Sequence, residues 1–147
     1  MAMDKSLSDM EKLFAALADK TRLRLLNLIR DEEVCVCFFV EVLAESQPKI
    51  SRHLAYLRKA ELVTARREGK WMHYKITPPE NENLRIVLNE TIKSLAAQPE
   101  MQKEHENLVK ACCSPQVPVT ISHAPKPEAL IETQTPVSKE ELETFLL

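Results

Sequence analysis

Over the first thirty residues the apolar positions recur at helical spacing. Leu7, Met10, Phe14 and Leu17 are three or four residues apart, and Asp19 follows where a helix N-cap belongs. A second run, Thr21 to Ile29, puts Leu23, Leu26 and Ile29 on one side. The pattern predicts two helices with a short break. Phe38 to Ala44 reads as a third, short helix. Ser46 caps a fourth, because Pro48 fits a first helical turn and Ile50, Leu54 and Leu57 form an inward stripe. Gln47, Lys49, Ser51, Arg52, Tyr56 and Arg58 share the rest of that helix's surface. The period then changes: LVTARREGKWMHYKI has β-type residues on both sides of Gly69, the one glycine of the chain. This predicts a hairpin, since glycine reaches positive φ without steric cost. Pro78 and Pro79 end the strand. Leu84, Val87, Leu88, Ile92 and Leu95 mark a long amphipathic helix, with a continuation to Ala111 after a break near Pro99.

Beyond Cys113 the composition shifts, with five of the nine prolines in residues 115–136 and few large apolar residues. The expected division is therefore one domain, residues 1–113, and a Pro-rich acidic tail, residues 114–147. SKEELETFLL at its end suits a short helix capped by Ser138. No apolar run approaches the roughly 20 residues of a membrane helix and no signal peptide follows Met1, so a cytoplasmic protein without membrane contact is expected.

The net charge of −2 conceals an uneven distribution. Between Ser46 and Lys75 there are eight basic residues and two acidic ones, whereas Ser114 to Leu147 holds two basic and five acidic. Helices followed by a basic hairpin give the expected fold class: mainly α with a two-stranded β-hairpin wing, a winged helix-turn-helix. A helix of this diameter enters the DNA major groove, where Arg and Gln distinguish base edges. Gln47, Ser51 and Arg52 are the candidates for base readout, Lys49 and Arg58 for phosphate contact, and the wing cations Arg66, Arg67 and Lys70 for the adjoining backbone or minor groove. His53 is expected to pack at the turn. The first and last long helices carry apolar faces wider than a small core covers, which predicts a homodimer reading an inverted repeat of double-stranded operator DNA.

The stretches ALADKTRLRLLNLI, EVCVCFFVEVLAESQPKISRHLAYLRKAELV and REGKWMHYKI together resemble the ArsR/SmtB family of metal-sensing repressors, in its arsenical-resistance branch, over about residues 8–95. The resemblance implies a dimeric winged-helix repressor and not an enzyme. It would stay on its operator until trivalent arsenic (arsenite or methylarsenite) or antimony binds cysteines.

The four cysteines fall in two close pairs, Cys35 with Cys37 and Cys112 with Cys113. In a reducing compartment such pairs point to metal or redox chemistry. Trivalent arsenic is soft and thiophilic and favours up to three thiolates over carboxylate or imidazole. Cys35 and Cys37, at i and i+2, would point roughly 200° apart in a regular helix, so chelation requires an extended or unwound first turn. Some relatives carry a third cysteine where this chain has Val40, and Phe38-Phe39 replaces their Asp-Leu. The third ligand is then absent, or comes from Cys112 or Cys113. Zinc sensing at the last helix is disfavoured, because His105 is the one histidine between Ile76 and Pro115. A thiol redox or persulfide sensor of the same fold remains open, as does a structural zinc module using all four thiolates as an interaction unit. A thiol-disulfide oxidoreductase would leave the basic hairpin unexplained.

Overall fold

A computed structural model describes residues 2–113, together with Pro125 and Pro127; the side chains of residues 2–4 and 113 lie outside that description. The elements run α1 (Ala2–Leu17), α2 (Lys20–Ile29), β1 (Glu33–Cys35), α3 (Val36–Leu43), α4 (Gln47–Lys59), β2 (Val63–Glu68), β3 (Trp71–Ile76), α5 (Glu82–Ala96) and α6 (Pro99–Cys113). The short terminal helix expected after Ser138 falls outside the described residues.

The helix starts follow from their caps. Asp19 accepts the Arg22 backbone N–H, Ser46 accepts that of Lys49, and Asn81 accepts those of Asn83 and Leu84, each satisfying donors that a first turn leaves unpaired. At its far end α4 closes with a Schellman motif. Glu61 takes φ +63°, and the Leu62 N–H reaches back to the Leu57 carbonyl. In the hairpin Glu68 pairs with Trp71, leaving Gly69 and Lys70 as a two-residue turn whose first position, Gly69, has φ +59°, as a primed turn requires.

Helix α2 is the central rod. Leu25, Leu26, Leu28 and Ile29 are all fully buried, because α2 packs against every other helix and against β3; the single apolar side read from Leu23, Leu26 and Ile29 understates its burial. Polar bolts fix α6 to it. The fully buried Asn27 donates to the Met101 carbonyl at 2.9 Å, and Arg24 Nε donates to Glu104 at 2.7 Å.

Two expectations need correction, and a third, the excess apolar face of α1, is resolved into residues. The sheet has three strands rather than two, in the order β1-β3-β2, with β1 antiparallel to β3. Strand β1 is only three residues long, too short for an alternating pattern to register. Helix α3 begins at Val36, not Phe38. On α1 the stripe divides: Leu13, Ala16 and Leu17 enter the core, while Leu7, Met10 and Phe14 are exposed, Phe14 by 51%. The apolar periodicity was real, but most of it faces away from this chain's core.

Candidate DNA-binding face and thiol site

The α4 stripe Ile50, Leu54 and Leu57 is buried, which turns the opposite face to solvent. Gln47, Ser51, Arg52 and Arg58 are exposed there. Lys49 is part-buried and pairs with Glu45 at 3.0 Å, an i, i+4 pair weak enough to yield to a phosphate. Tyr56 is 44% exposed, and Arg22 stacks on its ring at 4.1 Å. Arg22 was absent from the sequence candidates, yet it joins three helices: Nε and Nη2 donate to the Ala16 and Ala15 carbonyls at the end of α1, and Nη1 lies 3.3 Å from His53 Nδ1. His53, 3.6 Å from Asp19, packs at the turn as expected. A polar residue in α2 carries no local signal for this role, which exists only once α1 and α4 converge on it.

The three wing cations differ in their surroundings. Arg67 is exposed and donates to the Gly69 carbonyl at 3.1 Å, and Lys70 lies over the Trp71 ring at 5.0 Å. Arg66 is held against the sheet by Glu33 of β1, Nε to Oε1 at 2.9 Å. That hydrogen bond holds the Glu33 carboxyl below its usual value. Glu68, 3.5 Å from Arg66, also lies 3.0 Å from Nε2 of the buried His73.

Strand β1 ends at Cys35, whose backbone is extended (φ −71°, ψ 140°) and serves as N-cap position of α3. Cys37 lies in the first turn of that helix. The break between strand and helix, rather than an unwound helix, turns both thiols the same way, and the Cys37 thiol donates to the Cys35 sulfur at 3.0 Å. This hydrogen bond, with backbone N–H donors including Met72, lowers the Cys35 pKa to about 7 against the cost of burial. The same bond, together with burial, pushes the Cys37 thiol up. One proton is thus held between two sulfurs, and the pair readily carries a single negative charge. Cys35 is fully buried and faces His73 across the strand pair; Cys37 is half-buried.

Cys112 is buried in the core on α6, which packs against α3; the Cys113 side chain is outside the described residues. Among the described residues no three His, Cys, Asp or Glu side chains assemble into a metal site, so what those residues offer is a two-sulfur unit. Nor, among them, is any helix long and apolar enough to cross a membrane.

A recognition-type helix supported by two others and flanked by a basic hairpin defines a winged-helix DNA-binding protein. Comparison with known proteins narrows this. The sequence model described as "Bacterial regulatory protein, arsR family" matches residues 19–65. The arsenical resistance operon repressor of Escherichia coli K12 is 39% identical over 104 residues, 70% of this chain and 87% of that one. The arsenic resistance transcriptional regulator ArsR1 of Pseudomonas putida KT2440 is 51% identical over 67 residues, 45% of this chain and 52% of its own. Among solved structures, HlyU from Vibrio cholerae N16961 superposes with a TM-score of 0.55 at 29% identity, covering 64% of this chain and 98% of HlyU. The chain belongs to the ArsR family: it is a DNA-binding transcriptional regulator, not an enzyme.

Proposed function

We propose that the protein is a homodimeric repressor that leaves its operator when trivalent arsenic or antimony binds Cys35 and Cys37. The observation that carries this reading is the 3.0 Å separation of the two sulfurs at the root of α3. An ion with bonds of about 2.3 Å to each sulfur spreads them to roughly 3.3–3.8 Å. Cys35 is anchored in the sheet by its pairing with His73, so the spreading moves the first turn of α3. That helix packs against α4, and the displacement reaches the reading helix through rigid contacts. Relatives named as arsenical resistance repressors support the choice of inducer.

The exposed Leu7, Met10 and Phe14 suit a second copy of the chain, which would place two α4 helices on an inverted repeat. Gln47, Ser51 and Arg52 read bases, while Lys49, Arg58, Arg67 and Lys70, joined by Arg66 once Glu33 releases it, hold the backbone. Cys112 or Cys113 supplies a third sulfur for inorganic arsenite, which offers three exchangeable positions, and the two are dispensable for methylarsenite, which offers two. Residues 1–113 are the DNA-binding and dimerisation unit, and 114–147 an appended tail; the cytoplasm, where thiols stay reduced, is the working compartment.

The test is release from a duplex that the protein itself selects from a random pool, titrated with arsenite, methylarsenite, antimonite, zinc and cadmium. Release by the three metalloids at concentrations stoichiometric with protein is expected. Release by zinc or cadmium alone would overturn the assignment.

A further inference from the structure

The pair has a second chemistry that metalloid binding does not use. We propose that Cys35 and Cys37 close into a reversible disulfide on exposure to hydroperoxides, and that this form holds DNA but no longer responds to thiophilic inducers. The second half rests on the reading that these thiols are the inducer ligands.

The geometry favours closure. Residues two apart in the chain have Cα atoms at most about 7 Å apart, and a disulfide accepts Cα separations up to about that distance. Most such pairs fail because the side chains diverge, but here the strand-to-helix break has already brought the sulfurs to 3.0 Å. A disulfide bond of about 2 Å needs a further approach of about 1 Å. Cys37 is half-buried and open to a small oxidant; Cys35, fully buried, is the resolving partner.

The step balances. The Cys37 thiolate, its proton passed to Cys35, attacks the terminal peroxide oxygen; the O–O bond breaks, and the alkoxide leaves as the alcohol after taking a proton from solvent. The resulting Cys37 sulfenic acid is attacked by the Cys35 sulfur, the S–O bond breaks, and water departs with the Cys35 proton. Two thiols and one hydroperoxide become one disulfide, one alcohol and one water. Closure draws the sulfurs together, whereas a bound ion drives them apart. The oxidised form is therefore the opposite of the induced one: α3 stays seated, and both donors are consumed.

The experiment treats the full-length protein with cumene hydroperoxide, blocks remaining thiols with iodoacetamide and digests with trypsin. Cys35 and Cys37 share the peptide Asp31–Lys49, separate from Cys112 and Cys113. The expected peptide is unalkylated, lighter by two hydrogens, and alkylated at both positions after dithiothreitol. The oxidised protein should bind the selected duplex like the reduced protein and show complete loss of release by antimonite. Peptide alkylated at both cysteines after peroxide, sulfinic acid at Cys37, or linkage to the Cys112–Cys113 peptide would overturn the proposal. Oxidised protein that releases DNA would overturn its second half. If the disulfide forms but the reduced protein ignores antimonite, the metalloid reading fails and the redox chemistry stands; the converse result sinks the disulfide alone.

Discussion

On α4 the candidate DNA-reading side chains are exposed and set apart from the core by the helix's own period, whereas at the β1–α3 junction the candidate ligand thiols, one buried and one half-buried, are brought together by a change of secondary structure. The first arrangement needs only one helix to be in place. Gln47, Ser51, Arg52 and Arg58 face outward because Ile50, Leu54 and Leu57 face inward. The second needs a three-residue strand, its register on β3 and a helix start, and only then do two sulfurs come within 3.0 Å. A surface face tolerates substitution one residue at a time, while a buried pair acts as a unit.

The largest expected effect follows from that unit behaviour. Cys35→Ser or Cys37→Ser alone should abolish arsenite-driven release, by the same amount as the double variant, with DNA affinity retained. Electrophoretic mobility shifts with increasing arsenite would check this. Graded, additive losses would mean the sulfurs act independently.

The reading face should show the contrary behaviour. Arg52→Ala should cost about 1–3 kcal/mol of operator binding and relax base preference, whereas Lys70→Ala should weaken all sequences alike and flatten the salt dependence. Their effects should add, because the two lie on separate elements. Fluorescence anisotropy across a salt series measures both quantities for each variant.

How much of this was legible in the sequence follows from the same contrast. The caps at Asp19 and Ser46, the α4 stripe and the Gly69 turn are local signals, each made between residues three or four apart, and each is where the sequence places it. Strand β1 is not local: it is a strand only because β3 lies beside it. The extended backbone at Cys35 is one of the two ways of bringing the thiols together that the sequence left open, and only the pairing with β3 decides between them. Arg22 and the Glu33–Arg66 pair were equally hidden, since their partners lie at least six residues and 33 residues away. Conversely, the apolar excess of α1 was legible, and Leu7, Met10 and Phe14 are the part of it that the core leaves exposed.

A smaller effect concerns the far end of α4. Glu61 holds φ +63° in the left-handed region, which costs a side-chain-bearing residue about 1–2 kcal/mol. Part of that is offset by the greater freedom glycine has when unfolded. Glu61→Gly should raise stability by about 1 kcal/mol, read as a shifted urea midpoint at unchanged slope. The arsenite response should stay the same, since the strain lies outside the β1–α3 junction.

The smallest expected effect tests an ion pair that joins β1 to the wing. Glu33 stands two residues before Cys35 on β1, and Arg66 belongs to the wing. The Arg66 hydrogen bond lowers the Glu33 pKa from 4.5, so the folded state binds this proton less readily than the unfolded chain. The stabilisation is therefore fully present above about pH 4.5 and is lost as pH falls through the lowered value. Wild type and Glu33→Gln should differ modestly in urea midpoint at pH 7, as a solvent-exposed pair allows. The difference should close as pH falls below about 4.5, and shrink with added salt. The same substitution frees a wing cation, so DNA affinity should rise slightly and its salt dependence steepen. If stability changes as expected but DNA binding does not, Arg66 is a strut of the sheet rather than a contact, and backbone recognition by the wing rests on Arg67 and Lys70.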